Sequence, residues 1–211
     1  MKALNVARAR GGEIQTLAES RLGELASALE GNEVQLNQAR AKDDALHAAL
    51  MARDEASDLE IGAVCDEMWN AMGRPAQSVD YDIIVAGGKK VWTDGDPVKQ
   101  PYLMAVLATN IRNTKHPKLV ERKEAWATRI EQKAAAQAEA AAPTSAAYAQ
   151  VTALSMQRRT LADTAQLGLT RLKRDLKNLS MTEAQIHEIT PDAPTGNGTS
   201  PVVPPPAPKP A

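Results

Sequence analysis

The sequence predicts a mainly α-helical protein, with long helices packed antiparallel in a coiled-coil-like bundle, one small β-hairpin and a disordered proline-rich C-terminal tail. Three observations carry that reading. The 43% hydrophobic content comes mostly from Ala and Leu, which with Glu, Gln, Lys and Arg are strong helix formers. Phe is absent, and three Trp and three Tyr are the only large aromatic side chains in 211 residues, so a thick aromatic core is excluded. Two distant segments place apolar residues at alternating steps of three and four, the spacing of a helix seam.

The first seam runs through Leu22, Leu25, Leu29, Leu36, Leu46 and Leu50, with Asn32, Ala39 and Asp43 filling the gaps. Polar residues in a seam weaken association but fix register. Gly31-Asn32 admits a break into a helical hairpin, yet the phase continues across it and favours one long helix. A stripe of Ile61, Val64, Cys65, Met68 and Met72 follows and stops at Gly73 and Pro75.

Residues 80–97, DYDIIVAGGKKVWTDGDP, pair β-favouring runs with a glycine turn, and the sequence predicts a β-hairpin there. A phosphate-holding loop is the competing reading. It fails because Ile83 stands where the first glycine belongs and Lys90 where a Ser or Thr belongs, and because a second β-favouring run replaces the helix start. The acidic residues Asp80, Asp82, Asp94 and Asp96 lack the spacing of a calcium loop.

Pro101 suits a first helical turn, and Leu103, Val106, Leu107 and Ile111 mark a short helix that ends before Pro117. Leu119, Trp126 and Ile130 open a longer helix running into an alanine-rich stretch before Pro143. Beyond it Val151, Leu154, Leu161, Ala165, Leu172 and Leu179 form the second seam, in a helix from about Ser145 to Leu179. Ser180 and Glu183 have capping-box spacing, and Ile186 and Ile189 fold the helix they start back onto the bundle. Eight of the 13 prolines lie in the last 21 residues, which predicts disorder with polyproline character. The expected organisation is an acidic helical arm over 1–57, a small α plus hairpin module over 58–117, a basic arm over 118–190 and the tail over 191–211.

The formal net charge of −1 conceals an asymmetry. From Glu13 to Glu67 there are 13 acidic and 4 basic residues, whereas Lys99 to Lys133 holds 8 basic and 3 acidic and Arg158 to Lys177 holds 6 basic and 2 acidic. Arms of opposite charge attract each other within a chain or between copies. Candidate interaction residues are Arg112, Lys115, Lys118, Arg122 and Lys123, with Arg171, Lys173, Arg174 and Lys177. They fit an acidic surface or nucleic acid, although the interleaved aromatics of a single-strand binder are missing. Around Arg112 the same cations also suit a helix C-terminus, where they complement the macrodipole.

No arrangement of the three histidines, His47, His116 and His187, has metal-ligand spacing, and the single Cys65 lies among apolar residues with no nearby base. No catalytic residue, cofactor, metal or small-molecule substrate is expected. No run reaches signal-peptide or membrane-spanning length, so the expected location is cytoplasmic or within an assembled particle. The expected role is a non-enzymatic structural or assembly protein, a helical spacer or scaffold in a larger complex such as a bacterial or viral particle. Its expected partner is another copy or another helical protein, and an adaptor for nucleic acid or an acidic surface is the alternative.

Overall fold

The structure, a computed structural model, describes residues 2–191. Among these the regular elements are all helical: α1 (Lys2–Arg10), α2 (Gly12–Ala18), a π-helical turn (Glu19–Gly23), α3 (Glu24–Ala71), α4 (Val79–Ile84), α5 (Lys89–Thr93), α6 (Gln100–Asn113), α7 (Lys123–Asn178) and α8 (Glu183–Ile189). The chain forms two compact units. One combines the described residues up to Gly31 with those from Arg158, and the other is Asn32–Gln157.

In the larger unit α3 and α7 run antiparallel, as their cross-links show. Asn32 Nδ2 donates to the Leu154 carbonyl at 3.2 Å, Thr144 Oγ1 to the Leu46 carbonyl at 3.3 Å, Gln137 Nε2 to Asp54 at 2.7 Å and Arg129 Nε to Glu60 at 2.6 Å. Leu36, Ala39 and Leu50 are buried from one side and Ala134, Ala141 and Ala147 from the other, with Leu46, Val151 and Leu154 half-buried. Alanine across from leucine lets the backbones approach closely while burying little area per turn. Toward its other end the unit thickens into a core. Ile61, Val64, Cys65 and Met68 of α3 meet Met104, Leu107 and Ile111 of α6, Trp126 and Ile130 of α7, and Ile84, Val85 and Trp92. Each large side chain fully buried here contributes about 1.5–3 kcal/mol.

The β-hairpin expected over residues 80–97 is not formed. Ser78 Oγ accepts the Tyr81 N–H at 3.2 Å and caps α4, the α4 buried face follows Tyr81, Ile84 and Val85, and Val85 N–H closes a helical turn on the Tyr81 carbonyl at 2.8 Å. The spacing of three and four outweighs the β propensity of Ile and Val, because one helical face reaches the core while Ile83 stays exposed. Gly87 and Gly88, at φ of 79° and 83°, make the turn into α5, which sets Trp92 into the core.

Gly31 and Asn32 lie inside α3, which is unbroken there, as the continuous phase favoured. Two further expectations change. The helix α7 runs through Pro143 rather than starting anew at Ser145. Proline removes the N–H that would bond the Glu139 carbonyl, but Pro143 and Glu139 both lie on the exposed side of α7, where losing that bond costs less than it would in a buried position. The capping box lies two residues downstream of Ser180 and Glu183: Thr182 accepts from the Gln185 N–H while Gln185 Oε1 accepts from Thr182 N–H at 2.9 Å. Ser180 instead adopts a left-handed φ of 60° after α7.

In the smaller unit α1, which the seam pattern did not announce, buries Ala3, Leu4 and Ala7. Gly11 and Gly12, at φ of 69° and 60°, reverse the chain into α2, and Arg8 then grips Glu19 at 2.6 and 3.2 Å. The core joins Leu4, Ala18 and Leu22 to Leu172 and Leu176 of α7 and Ile186 and Ile189 of α8. Leu25, Leu29, Leu161 and Leu179 are half-buried. Gly168 marks a close approach of α7 to the π-helical turn, since a Cβ there would meet Leu22 Cδ2 at 2.9 Å and the Arg21 carbonyl at 3.0 Å. The proline-rich tail lies outside the described residues.

Candidate functional site

The cations singled out by the sequence fall into two groups with different fates. At the end of α6, Arg112 donates to Glu124 at 2.9 Å and forms a bidentate pair with Glu131. These carboxylates hold its guanidinium pKa above the ordinary arginine value. Lys123 Nζ donates to the Arg112 and Thr114 carbonyls at 2.7 and 3.4 Å, closing the C-terminus of α6. Lys118 bonds the Met72 carbonyl at 3.2 Å, and Arg122 pairs with Glu67 at 3.0 Å while lying 4.9 Å over the Trp126 ring. Lys115 is exposed and carries no side-chain partner among the described residues. This cluster is therefore mostly bound into its own unit.

The second group lies on α7 in the smaller unit. Lys177 pairs with Glu183 at 2.5 Å, and Lys173 is half-buried, but Arg171 and Arg174 are exposed without an ion pair among the described residues, as is Arg159. Leu167, 61% exposed, shares their side of the helix, one turn before Arg171.

In the larger unit α3 carries a second stripe beside its buried seam. Met51, Glu55, Asp58 and Leu59, Gly62 and Asp66 repeat at three and four, and with Ala48, Ala52 and Ala63 they line an open groove of about 1120 Å³ flanked by Thr93 and Asp94. Leu59 is 71% exposed and Met51 43%. Gly62 sits in mid-helix, where glycine costs about 1 kcal/mol relative to alanine, yet a Cβ there would meet nothing within 4 Å. Packing within the described chain does not require it.

Under one side of this groove lies a polar network. Gln137 Nε2 bonds Asp54 at 2.7 Å and the Pro97 carbonyl at 2.9 Å, and Gln100 Nε2 bonds the Trp92 carbonyl and reaches Asp58 at 3.4 Å. Both glutamines are fully buried, and their Oε1 atoms have no partner among the described residues. Burial, with the charges of Asp54 and Asp94, pushes Asp58 up to about 6, and burial raises Asp54 as well. A protonated Asp58 gains a donor in a region rich in acceptors.

The remaining candidates stay apart. Asp80 and Asp82 sit in the first turn of α4, while Asp96 Oδ1 accepts the Val98 N–H at 3.0 Å in the turn before α6. Among the described residues no three carboxylate, histidine or cysteine side chains gather to hold a metal. Cys65 is buried, its thiol pushed up to about 11 mainly by burial, and Tyr81 Oη lies 3.5 Å from its carbonyl. The glycine turn does precede a helix, contrary to expectation, but α5 has only five residues and its Lys89 pairs with Asp66 at 2.7 Å. His47 lies on α3, His116 in the turn before Pro117 and His187 on α8. No described helix is long and apolar enough to cross a membrane.

Fold and groove together define a helical-bundle protein with an open, acid-rimmed helix face. Comparison of the chain with protein-family models, with curated proteins and with solved structures gives no match.

Proposed function

We propose that this protein is a non-enzymatic assembly protein, a helical spacer or scaffold that works inside a larger complex of the kind found in bacterial or viral particles. The observation that supports it is the α3 groove: a face of small and exposed apolar residues over Ala48–Asp66, rimmed by acids, whose apolar centre at Met51 and Leu59 is left exposed by the described residues. Such a face is suited to receive another helix, since small residues admit a close backbone and Leu59 and Met51 supply apolar area. Self-association and contact with another helical protein both use it.

The adaptor reading, binding to nucleic acid or an acidic surface, draws on Arg159, Arg171 and Arg174. It is weakened by the commitment of Arg112, Lys118, Arg122 and Lys123 to intramolecular partners. Sedimentation velocity across concentration, run beside a nucleic-acid binding titration at several salt concentrations, tests the proposal. Assembly with weak, sequence-independent nucleic-acid binding supports it. A monomer that binds DNA or RNA with a steep salt dependence sinks it.

A further inference from the structure

The geometry points to a specific occupant: we infer that the α3 groove of one copy receives the outer face of α7, centred on Leu167, from a second copy of this chain. The inference rests on the assembly reading and names its contact.

Three features single out this pairing. The groove needs an apolar centre with cations at the rim to match Leu59 and Met51 beside Glu55, Asp58 and Asp94. The α7 face offers Leu167 flanked by Arg159, Arg171 and Arg174, with Asp163 as its one acid at helical spacing. In the smaller unit Arg8, Arg10, Arg21 and Lys177 all have carboxylate partners, so Arg159, Arg171 and Arg174, exposed and without an ion pair among the described residues, stand out by their concentration on one side of α7.

Gly62 supplies the second line of support. Its missing side chain serves no described contact, yet a helix laid along Ala48–Asp66, a stretch of about 27 Å, would use the space that Gly62, Ala52 and Ala63 leave open. The acid-rimmed groove and the exposed arginines of α7 belong to the same sequence, so a second copy carries the complementary charge without an outside protein. A contact between two different patches is heterologous, so it closes into a ring or reciprocal dimer, or propagates as an open chain.

The test uses the full chain at 1–300 µM in low and high salt, followed by sedimentation velocity, with circular dichroism to confirm folding. One variant carries Glu55→Lys and Asp66→Lys, a second carries Arg159→Glu and Arg171→Glu, and a third carries Leu59→Arg at an exposed position. Each alone is expected to weaken association at least tenfold, high salt to weaken the wild type, and a mixture of the first two variants to recover hetero-association. Association indifferent to all three overturns the groove contact while leaving the assembly reading standing. Loss with the groove variants but not the α7 variant, or failure of the mixture to recover, overturns α7 as the occupant. A monomer at every concentration overturns both readings.

Discussion

Glu67 on α3 accepts the indole N–H of Trp126 on α7 at 2.8 Å, and the same carboxylate also receives Arg129 at 2.8 Å and Arg122 at 3.0 Å. One acid therefore satisfies the polar atom of the largest buried ring and joins two cations that would otherwise crowd the helix start. These donors, Trp126 first and Arg129 next, hold the Glu67 carboxyl below the ordinary carboxylate range. A depressed folded pKa gives stability that is present above the unfolded pKa and is lost as pH falls through the folded value. Glu67→Leu should lower stability by about 1–3 kcal/mol at pH 7, because the Trp126 N–H is then buried without an acceptor. Urea unfolding at pH 7 and pH 3 checks this: the gap between variant and wild type should shrink at the lower pH.

Asp58 runs in the opposite direction. Its pKa is raised, so its contribution is fully present below the ordinary Asp range and is lost as pH rises through about 6. Asp58→Asn, a neutral shape mimic, should melt about 2–4 °C higher than wild type at pH 7.5, which corresponds to about 1 kcal/mol after allowing for partial solvent screening. At pH 4 the two should melt together. A constant difference across that range would show that Asp58 acts through packing alone.

Two glycines in helices should respond with opposite signs. Gly168→Ala drives a methyl against Leu22 Cδ2 at 2.9 Å and the Arg21 carbonyl at 3.0 Å, so the smaller unit should lose about 1–3 kcal/mol. Gly62→Ala meets open space and should gain about 0.5–1 kcal/mol in dilute solution through helix propensity. Thermal unfolding of the two variants at a concentration below any association decides both signs.

Pro143 lies inside α7 on the exposed side. Replacing it with alanine restores the N–H that bonds the Glu139 carbonyl and should raise stability by about 1–3 kcal/mol, with helix content unchanged or slightly higher. A fall in helix content would show that the turn around Pro143 depends on proline's fixed φ.

Seam residues were the most legible part of the chain because burial repeats there with helical spacing. Leu22, Leu36, Leu50 and Leu172 are all buried, and the unbroken phase across Gly31 corresponds to an unbroken α3. The segment from Asp80 to Pro97 was misread because Ile83, Ile84 and Val85 favour strands as individual residues, while Tyr81, Ile84 and Val85 share a helical face that only a nearby core makes decisive. Pro143 misled for a related reason, since a proline breaks a helix less when its freed carbonyl faces water. The groove was hidden among acids that look like ordinary solvated surface. Its signal was Gly62 placed in a stripe with Ala48, Ala52, Met51 and Leu59, one position away from the seam. Lysines and arginines near residue 112 were visible, but their carboxylate partners Glu124 and Glu131 become neighbours only once α7 folds back beside α6.

The π-helical turn at Glu19–Gly23 gives the smaller unit a length standard of one residue. Ile14, Ala18, Leu22 and Ala26 follow one another at intervals of four, and in a plain α-helix that interval would carry each successive side chain about 40° further around the axis. The wider turn absorbs part of this drift and keeps Leu22 aimed at Gly168 while Ala18 stays inside. Deleting Ser20 alone would convert the turn to plain α-helix and leave α2 and α3 close to their present faces, with Glu19 still beside Arg8, whereas the same deletion inside α3 would turn everything before it by about 100°. The π-helical turn is therefore the place in this helix where the loss of one residue is best accommodated.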